Sequence, residues 1–125
     1  MVVVDVTNRA VERWALDDDD AGGNVGALAM VNEQLGYVVV SDEEFRNRVL
    51  AFDPAGAEVL RTVWESSDFI PELEVDTGGF LAVPDRSFFQ PRLCLYRTPG
   101  SGGATEQPLG CGMLPVPPFS IEALD

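Results

Sequence analysis

The feature that most constrains this chain is an internal repeat with a period of about 43–48 residues. Residues 36–42 (GYVVVSD) recur as residues 79–85 (GFLAVPD), 43 positions later. Residues 47–56 (NRVLAFDPAG) recur as residues 91–100 (PRLCLYRTPG), 44 positions later. The opening residues 3–8 match the repeat position that residues 52–55 hold 48 positions later. A repeat of this length indicates an architecture in which each copy is one supersecondary unit that packs on its neighbours.

The local pattern inside each copy is typical of β-strands. Short apolar runs rich in Val and Phe recur, and each run is bounded by Gly, Pro, Asp or Asn. These runs are residues 2–6, 11–16, 27–31, 37–40, 49–52, 59–64, 73–75, 80–83, 92–96, 105–109 and 119–124. Four strands in about 45 residues is the size of one propeller blade. We therefore expect two four-stranded antiparallel sheets, over about residues 26–65 and 70–110.

Residues 41–65 also admit a helical interpretation, which would make the chain a small α+β domain. Residues 41–44 (SDEE) have the form of a helix capping box, and apolar residues follow at roughly helical spacing. The repeat favours strands, because the equivalent slot in the second copy holds Pro84 and Pro91. Proline breaks the interior of a helix.

Residues 40–42 and 47–56 resemble the β-propeller repeats of the NHL and YVTN type. Such repeats contain a strand ending in Asp, a short loop and an Asn-Arg-Val-x-Val-Phe-Asp-x-x-Gly segment. This chain has that order at residues 40–42 and 47–56. The second copy departs from it at Pro91 and Arg97, and the likeness covers most of residues 2–100.

The resemblance implies an all-β fold of antiparallel propeller blades in one partial unit, residues 1–125. Residues 1–16 would be a half blade, residues 26–65 and 70–110 would be full blades, and residues 116–125 would be the first strand of a further blade. Closed propellers carry four or more blades, so these two and three-quarter blades imply an incomplete propeller. The partners it implies are further blades or self-association. The family likeness also favours an extracytoplasmic or cell-surface location.

Composition excludes several classes of function. The net charge of −13 argues against binding nucleic acid, because the phosphates would be repelled. The sequence holds no His and no Lys, which removes Ser–His–Asp triads and Schiff-base chemistry. The sequence contains no run of 18 apolar residues, so it predicts no membrane-spanning helix. We expect a non-enzymatic module that binds or scaffolds a protein or small molecule. The alternative is part of a calcium-dependent, lactonase-like propeller hydrolase.

The acidic loops are the candidates for ligand binding. Blade topology would place the loops at residues 17–23, 41–47, 66–69 and 84–90 on one rim. Candidate ligand-binding acids are Asp42, Glu43, Glu44 and Asp85, and candidate Ca²⁺ ligands are Asp17, Asp18 and Asp20. The other interpretation is a set of solvated loop acids, which is favoured because no Asp-x-Asp-x-Asp-Gly spacing occurs. Apart from this Ca²⁺, no cofactor is expected.

Two further features carry open alternatives. In the loop at residues 85–90, Arg86, Phe88 and Phe89 form either a binding edge or ordinary inter-blade packing. Cys94 and Cys111 are equidistant from the Gly102-Gly103 turn, so a hairpin centred there would place them opposite each other. They are either a disulfide or two reduced small side chains.

Overall fold

The computed structural model describes residues 1–14, 16–87, 89–100 and 105–124. Within those ranges the chain forms ten strands and one short helix. In chain order they are β1 Val2–Asp5, β2 Ala10–Trp14, α1 Asp18–Ala21, β3 Asn24–Asn32, β4 Leu35–Ser41, β5 Asn47–Asp53, β6 Glu58–Ser66, β7 Glu74–Val75, β8 Phe80–Asp85, β9 Arg92–Arg97 and β10 Gln107–Met113.

The strands form one hairpin and two larger sheets, all antiparallel. Strands β1 and β2 pair with each other. Strands β3, β4, β5 and β6 follow one another in the first sheet, and β7, β8, β9 and β10 do so in the second. The prediction of two four-stranded antiparallel sheets is confirmed. Neither sheet closes on itself within the described residues.

The helical alternative for residues 41–65 is wrong, because β5 and β6 occupy that segment. The apparent capping box closes a hairpin turn instead. The Asp42 carboxylate accepts hydrogen bonds from the backbone N–H of Glu44 and of Arg46, both at 2.9 Å. Asp side chains stabilise turns in this way as readily as they cap helices. The helix α1 was not expected. Asp17 caps its first turn by accepting from the Asp20 N–H, and Gly22 ends it in the left-handed conformation.

The first sheet is buried on both faces. On one face Tyr37, Val39, Val49 and Ala51 pack against the second sheet. On the other face Val38, Val40, Leu50 and Phe52 pack with Leu16 and Ala21. Strands covered on both faces have continuous apolar sequences, and Tyr37-Val38-Val39-Val40 is such a run.

The second sheet is buried on its inner face only. Leu81, Val83, Cys94 and Tyr96 point into the shared core with the first sheet. At this contact the rings of Trp64 and Tyr96 meet edge to face, with their centroids 6.5 Å apart. The side chains that alternate with the buried set form the outer face, which is described below.

The strand expected near the C-terminus is not formed, so the assignment of residues 116–125 to a further blade strand is wrong over residues 116–124. Pro115, Pro117 and Pro118 lack the amide hydrogens that a strand ladder needs. The segment instead contacts the residues just before β7 and just after β8. The Ile121 N–H donates to Oε2 of Glu72 at 3.0 Å, and the Arg86 guanidinium lies 3.6 Å from the centre of the Phe119 ring. Asp125 lies outside the described residues.

Candidate functional site

The outer face of the second sheet is an apolar surface that the described residues cover only in part, and we call it the open face. Its members are Phe80, Ala82, Leu93, Leu95 and Leu109. A groove of about 580 Å³ runs between these side chains and residues 121–123, with Glu74, Asp76 and Glu122 among its lining residues. Leu95 is 39% exposed and Leu109 50%. Exposed apolar surface of this kind commonly marks a contact site.

Glycines in the edge strand help to keep this face uncovered. Gly110 pairs with Leu95 and Gly112 pairs with Leu93, so β10 sets no side chain beside either leucine at these positions. A Cβ atom built on Gly110 or Gly112 would meet nothing within 4 Å. Among the residues that the structure describes, none therefore fills the space beside Gly110 and Gly112.

The internal repeat relates the open face to a face that is already covered. Counting 43 positions, Tyr37 and Val39 correspond to Phe80 and Ala82; counting 44, Val49 and Ala51 correspond to Leu93 and Leu95. The first set is buried against the second sheet. The open face is thus the repeat counterpart of the surface on which the first sheet receives its neighbour.

A buried carboxylate joins the two sheets at one end. Asp85 is 1% exposed, and its Oδ1 accepts from the Ser66 hydroxyl at 3.0 Å and from the Ser87 N–H at 3.1 Å. Its Oδ2 accepts from Nε of Arg92 at 3.3 Å. Asp85, expected among the ligand-binding residues of the rim, is therefore buried here, and its oxygens are used inside the fold.

A second buried polar cluster joins β4, β6 and the segment before β10. Glu106, with only 4% of its side chain exposed, accepts from Nε of Arg61 at 2.7 Å and from its Nη2 at 2.5 Å. The Tyr37 hydroxyl donates to the same carboxylate at 2.9 Å. This cluster was missed in the sequence, where Glu106 is an isolated acid in a weak strand pattern.

The ionisation of this cluster follows from its contacts. Burial alone raises the pKa of Glu106, but the hydrogen bonds from Arg61 and Tyr37 and the positive charge of Arg61 outweigh burial, so the pKa lies below its ordinary 4.5. Burial, and then the bond to Glu106, raise the pKa of the Tyr37 phenol far above 10.0. At neutral pH the cluster holds a carboxylate, a guanidinium and a neutral phenol. Because all three groups are already bonded within the cluster, we infer that the cluster holds the two sheets together.

Two acidic loops meet around a polar cleft of about 450 Å³. Loops 17–23 and 41–47 both line it, as expected for loops on one rim, and its acids are Asp18, Asp19, Asp42, Glu43 and Glu44. The carboxylates are partly used by the loops themselves. Asp18 accepts from the Val25 N–H at 3.2 Å, and Asp42 accepts from Nε of Arg46 at 2.9 Å.

The bonds from the Arg46 backbone and side chain lower the pKa of Asp42. Of the candidate Ca²⁺ ligands, Asp17 caps α1 and Asp20 is exposed. Within the described part of the chain, no group of three or more His, Cys, Asp or Glu side chains is arranged to hold a metal ion.

The aromatic loop does not join this cleft. Arg86 stacks on Phe119, and Phe89 is 89% exposed. Neither residue lines the acidic cleft. Phe88 lies outside the described residues. The rim candidates are thus separated: Asp42, Glu43 and Glu44 share a cleft with Asp18, whereas Asp85 joins the two sheets through Ser66 and Arg86 stacks on Phe119.

Cys94 of β9 and Cys111 of β10 form a disulfide, and their Cα atoms are 4.0 Å apart. They are direct partners in the strand register. The structure therefore has the arrangement inferred from the hairpin midpoint, although a bulge between Pro108 and Gly110 shifts the register on one side.

Comparison of the chain with protein-family models, with curated protein sequences and with solved structures gives no match. Over the described residues this is a mostly β protein with two stacked four-stranded sheets, and the apolar outer face of the second sheet is only partly covered. None of the helices in the described residues has the length and apolar character needed to cross a bilayer.

Proposed function

We propose that this chain is a non-enzymatic binding or scaffolding module built of propeller-type blades, and that its open face docks a further four-stranded sheet of the same kind. The observation that carries the proposal is the repeat relationship between the open face and the covered face of the first sheet. The residues of the first sheet are buried against the second sheet, whereas their equivalents in the second sheet are half-buried (Phe80, Ala82 and Leu93) or exposed (Leu95).

The chemistry of the open face supports an apolar sheet as its partner. Phe80, Leu93, Leu95 and Leu109 offer apolar contact, and flat sheet faces pack on one another at about 10 Å. Glu74, Asp76 and Glu122 line the same groove, so the repulsion between these acids of two copies is weakest at high salt. In a solution of this chain alone, the sheet available as a partner is that of a second copy.

The proposal of a non-enzymatic role is supported by what the candidate groups do. The sequence lacks His and Lys. The polar clusters at Asp85 and Glu106 are buried and satisfied by neighbours within the fold. Such clusters specify how the sheets pack and leave no aligned nucleophile and base.

The experiment is sedimentation velocity and light scattering over a concentration series. We expect the oxidised wild-type chain to form dimers or larger species, and Leu95→Arg to shift it towards the 13.5 kDa monomer. Leu60→Arg is the matched control, because Leu60 is 42% exposed on the first sheet and the open face does not include it. Circular dichroism confirms that both variants fold.

A wild-type chain that stays monomeric at all concentrations and melts in one sharp transition would contradict the proposal. That result would mean that the open face needs no partner. The calcium-dependent hydrolase is tested in the same preparation. A thermal shift with Ca²⁺ that Asp18→Asn abolishes, accompanied by lactone hydrolysis, would favour the enzyme instead.

A further inference from the structure

Strand β10 has a low strand propensity and buries little side-chain surface, so it contributes little to its own docking on the sheet. Its sequence, QPLGCGM, contains one proline and two glycines, which are depleted in strands. All seven of its residues are exposed. Because β10 buries so little side-chain surface, the hydrophobic effect contributes little to its docking on β9.

Besides the backbone ladder to β9, three connections secure β10. Leu114, just after the strand, donates its N–H to the Pro91 carbonyl at 2.8 Å. Glu106, just before the strand, is bound by Arg61 and Tyr37. Between these ends the ladder is interrupted by the bulge at Pro108 and Gly110, and the disulfide is the side-chain link that joins β10 to β9.

The disulfide is open to attack from one side. Cys111 is exposed, whereas Cys94 is 1% exposed in the shared core. Because the Cys111 residue is exposed and Cys94 is buried, we expect a reductant in solution to reach the sulfur of Cys111 first. Attack by a thiolate on that sulfur forms a mixed disulfide and breaks the bond to Cys94, whose thiolate then takes up a proton.

A second thiol resolves the mixed disulfide. The balanced outcome is two protein thiols and one oxidised dithiol, so the reaction consumes two electrons from a dithiol reductant.

We propose that this disulfide is a redox-controlled covalent link that holds β10 against β9. Reduction by a dithiol releases β10 from β9 while the first sheet stays folded. Release removes Leu109 and one strand from the open face. It also leaves β9 as an unpaired edge. A further consequence rests on the proposed function. Reduction then weakens docking on the open face, so the oxidised chain is the form that binds.

The release is tested by hydrogen exchange with mass spectrometry on the full chain, with and without dithiothreitol. We expect exchange in residues 107–113 to accelerate by at least about tenfold on reduction, while β4 and β5 keep their protection. The double variant Cys94→Ser/Cys111→Ser is the control. It should exchange rapidly in 107–113 without reductant and should not respond to dithiothreitol.

Unchanged exchange in residues 107–113 on reduction would overturn the proposal. Loss of protection over β4 and β5 as well would also overturn it, because the bond would then hold the whole fold. Sedimentation of the same samples separates the two proposals. If oxidised and reduced chains are both monomeric, docking on the open face fails, whereas the exchange data still decide whether β10 is released.

Discussion

The Ser66 hydroxyl donates a 3.0 Å hydrogen bond to Oδ1 of Asp85, linking the last residue of β6 to the last residue of β8. The bond crosses from the first sheet to the second. Asp85 is also bound by the Ser87 N–H and by Arg92, whose guanidinium lies 5.0 Å from the centre of the Trp64 ring. This contact fixes the end at which the two sheets meet.

Removing the Asp85 carboxylate should destabilise the chain substantially. We expect Asp85→Ala to lower the free energy of unfolding by about 2–3 kcal/mol, because Ser66 and Arg92 lose a charged acceptor. Ser66→Ala should cost about 1–2 kcal/mol. Urea unfolding followed by tryptophan fluorescence measures both. Asp20→Ala, at an exposed site, is the control and should change stability by less than about 0.5 kcal/mol.

Acid should weaken the fold through Glu106. Its pKa in the folded chain lies below the ordinary 4.5, so the carboxylate binds protons more readily in the unfolded chain. Its contribution is fully present above pH 4.5 and is lost as pH falls through the lower folded pKa. Urea midpoints measured from pH 6 to pH 3 should therefore fall, and less steeply in Glu106→Gln. An equal slope in the two proteins would refute this role.

The two tyrosines should resist ionisation. Burial raises the pKa of both Tyr37 and Tyr96 above 10.0, and the bond to Glu106 raises that of Tyr37 further. Above pH 10 the tyrosines ionise more readily in the unfolded chain than in the folded chain, so the free energy of unfolding should fall as pH rises. Absorbance at 295 nm should show phenolate appearing together with unfolding. Titration of a full phenol near pH 10 in the folded chain would contradict the buried placement; Tyr37→Phe identifies which ring is responsible.

Two glycines should respond differently to alanine. A Cβ at Gly36 would lie 2.7 Å from Sδ of Met30 and 2.7 Å from Cε1 of Phe52, so Gly36→Ala should cost about 1–3 kcal/mol by overpacking. At Gly112 nothing lies within 4 Å, and Gly112→Ala should be neutral or slightly stabilising. Thermal melts of the two variants provide the comparison. Similar losses at both sites would show that β10 is packed more tightly than its surroundings indicate.

The repeat and the turn residues were enough to predict most of the strands. The 43–44-residue spacing, with Pro84 and Pro91 in the second copy, indicated strands where residues 41–65 alone were ambiguous. The turn predicted at Gly102-Gly103 lies outside the described residues, but the pairing of Cys94 with Cys111 that it implied is confirmed. The strand expected at the C-terminus is absent over residues 116–124, where Pro117 and Pro118 lack amides for a ladder and the Ile121 N–H donates to Glu72 instead.

By itself, the sequence determined the antiparallel order of the strands, because hairpin pairing depends on local periodicity and turn chemistry. Only the tertiary structure decided which polar groups are buried. Asp42 and Asp85 hold equivalent places in the repeat, yet Asp42 lines a surface cleft and Asp85 lies inside the fold. Glu106 meets Tyr37 from 69 positions away. Such contacts depend on how sheets stack, which local periodicity does not encode, since a side chain's environment is set by neighbours distant in the chain.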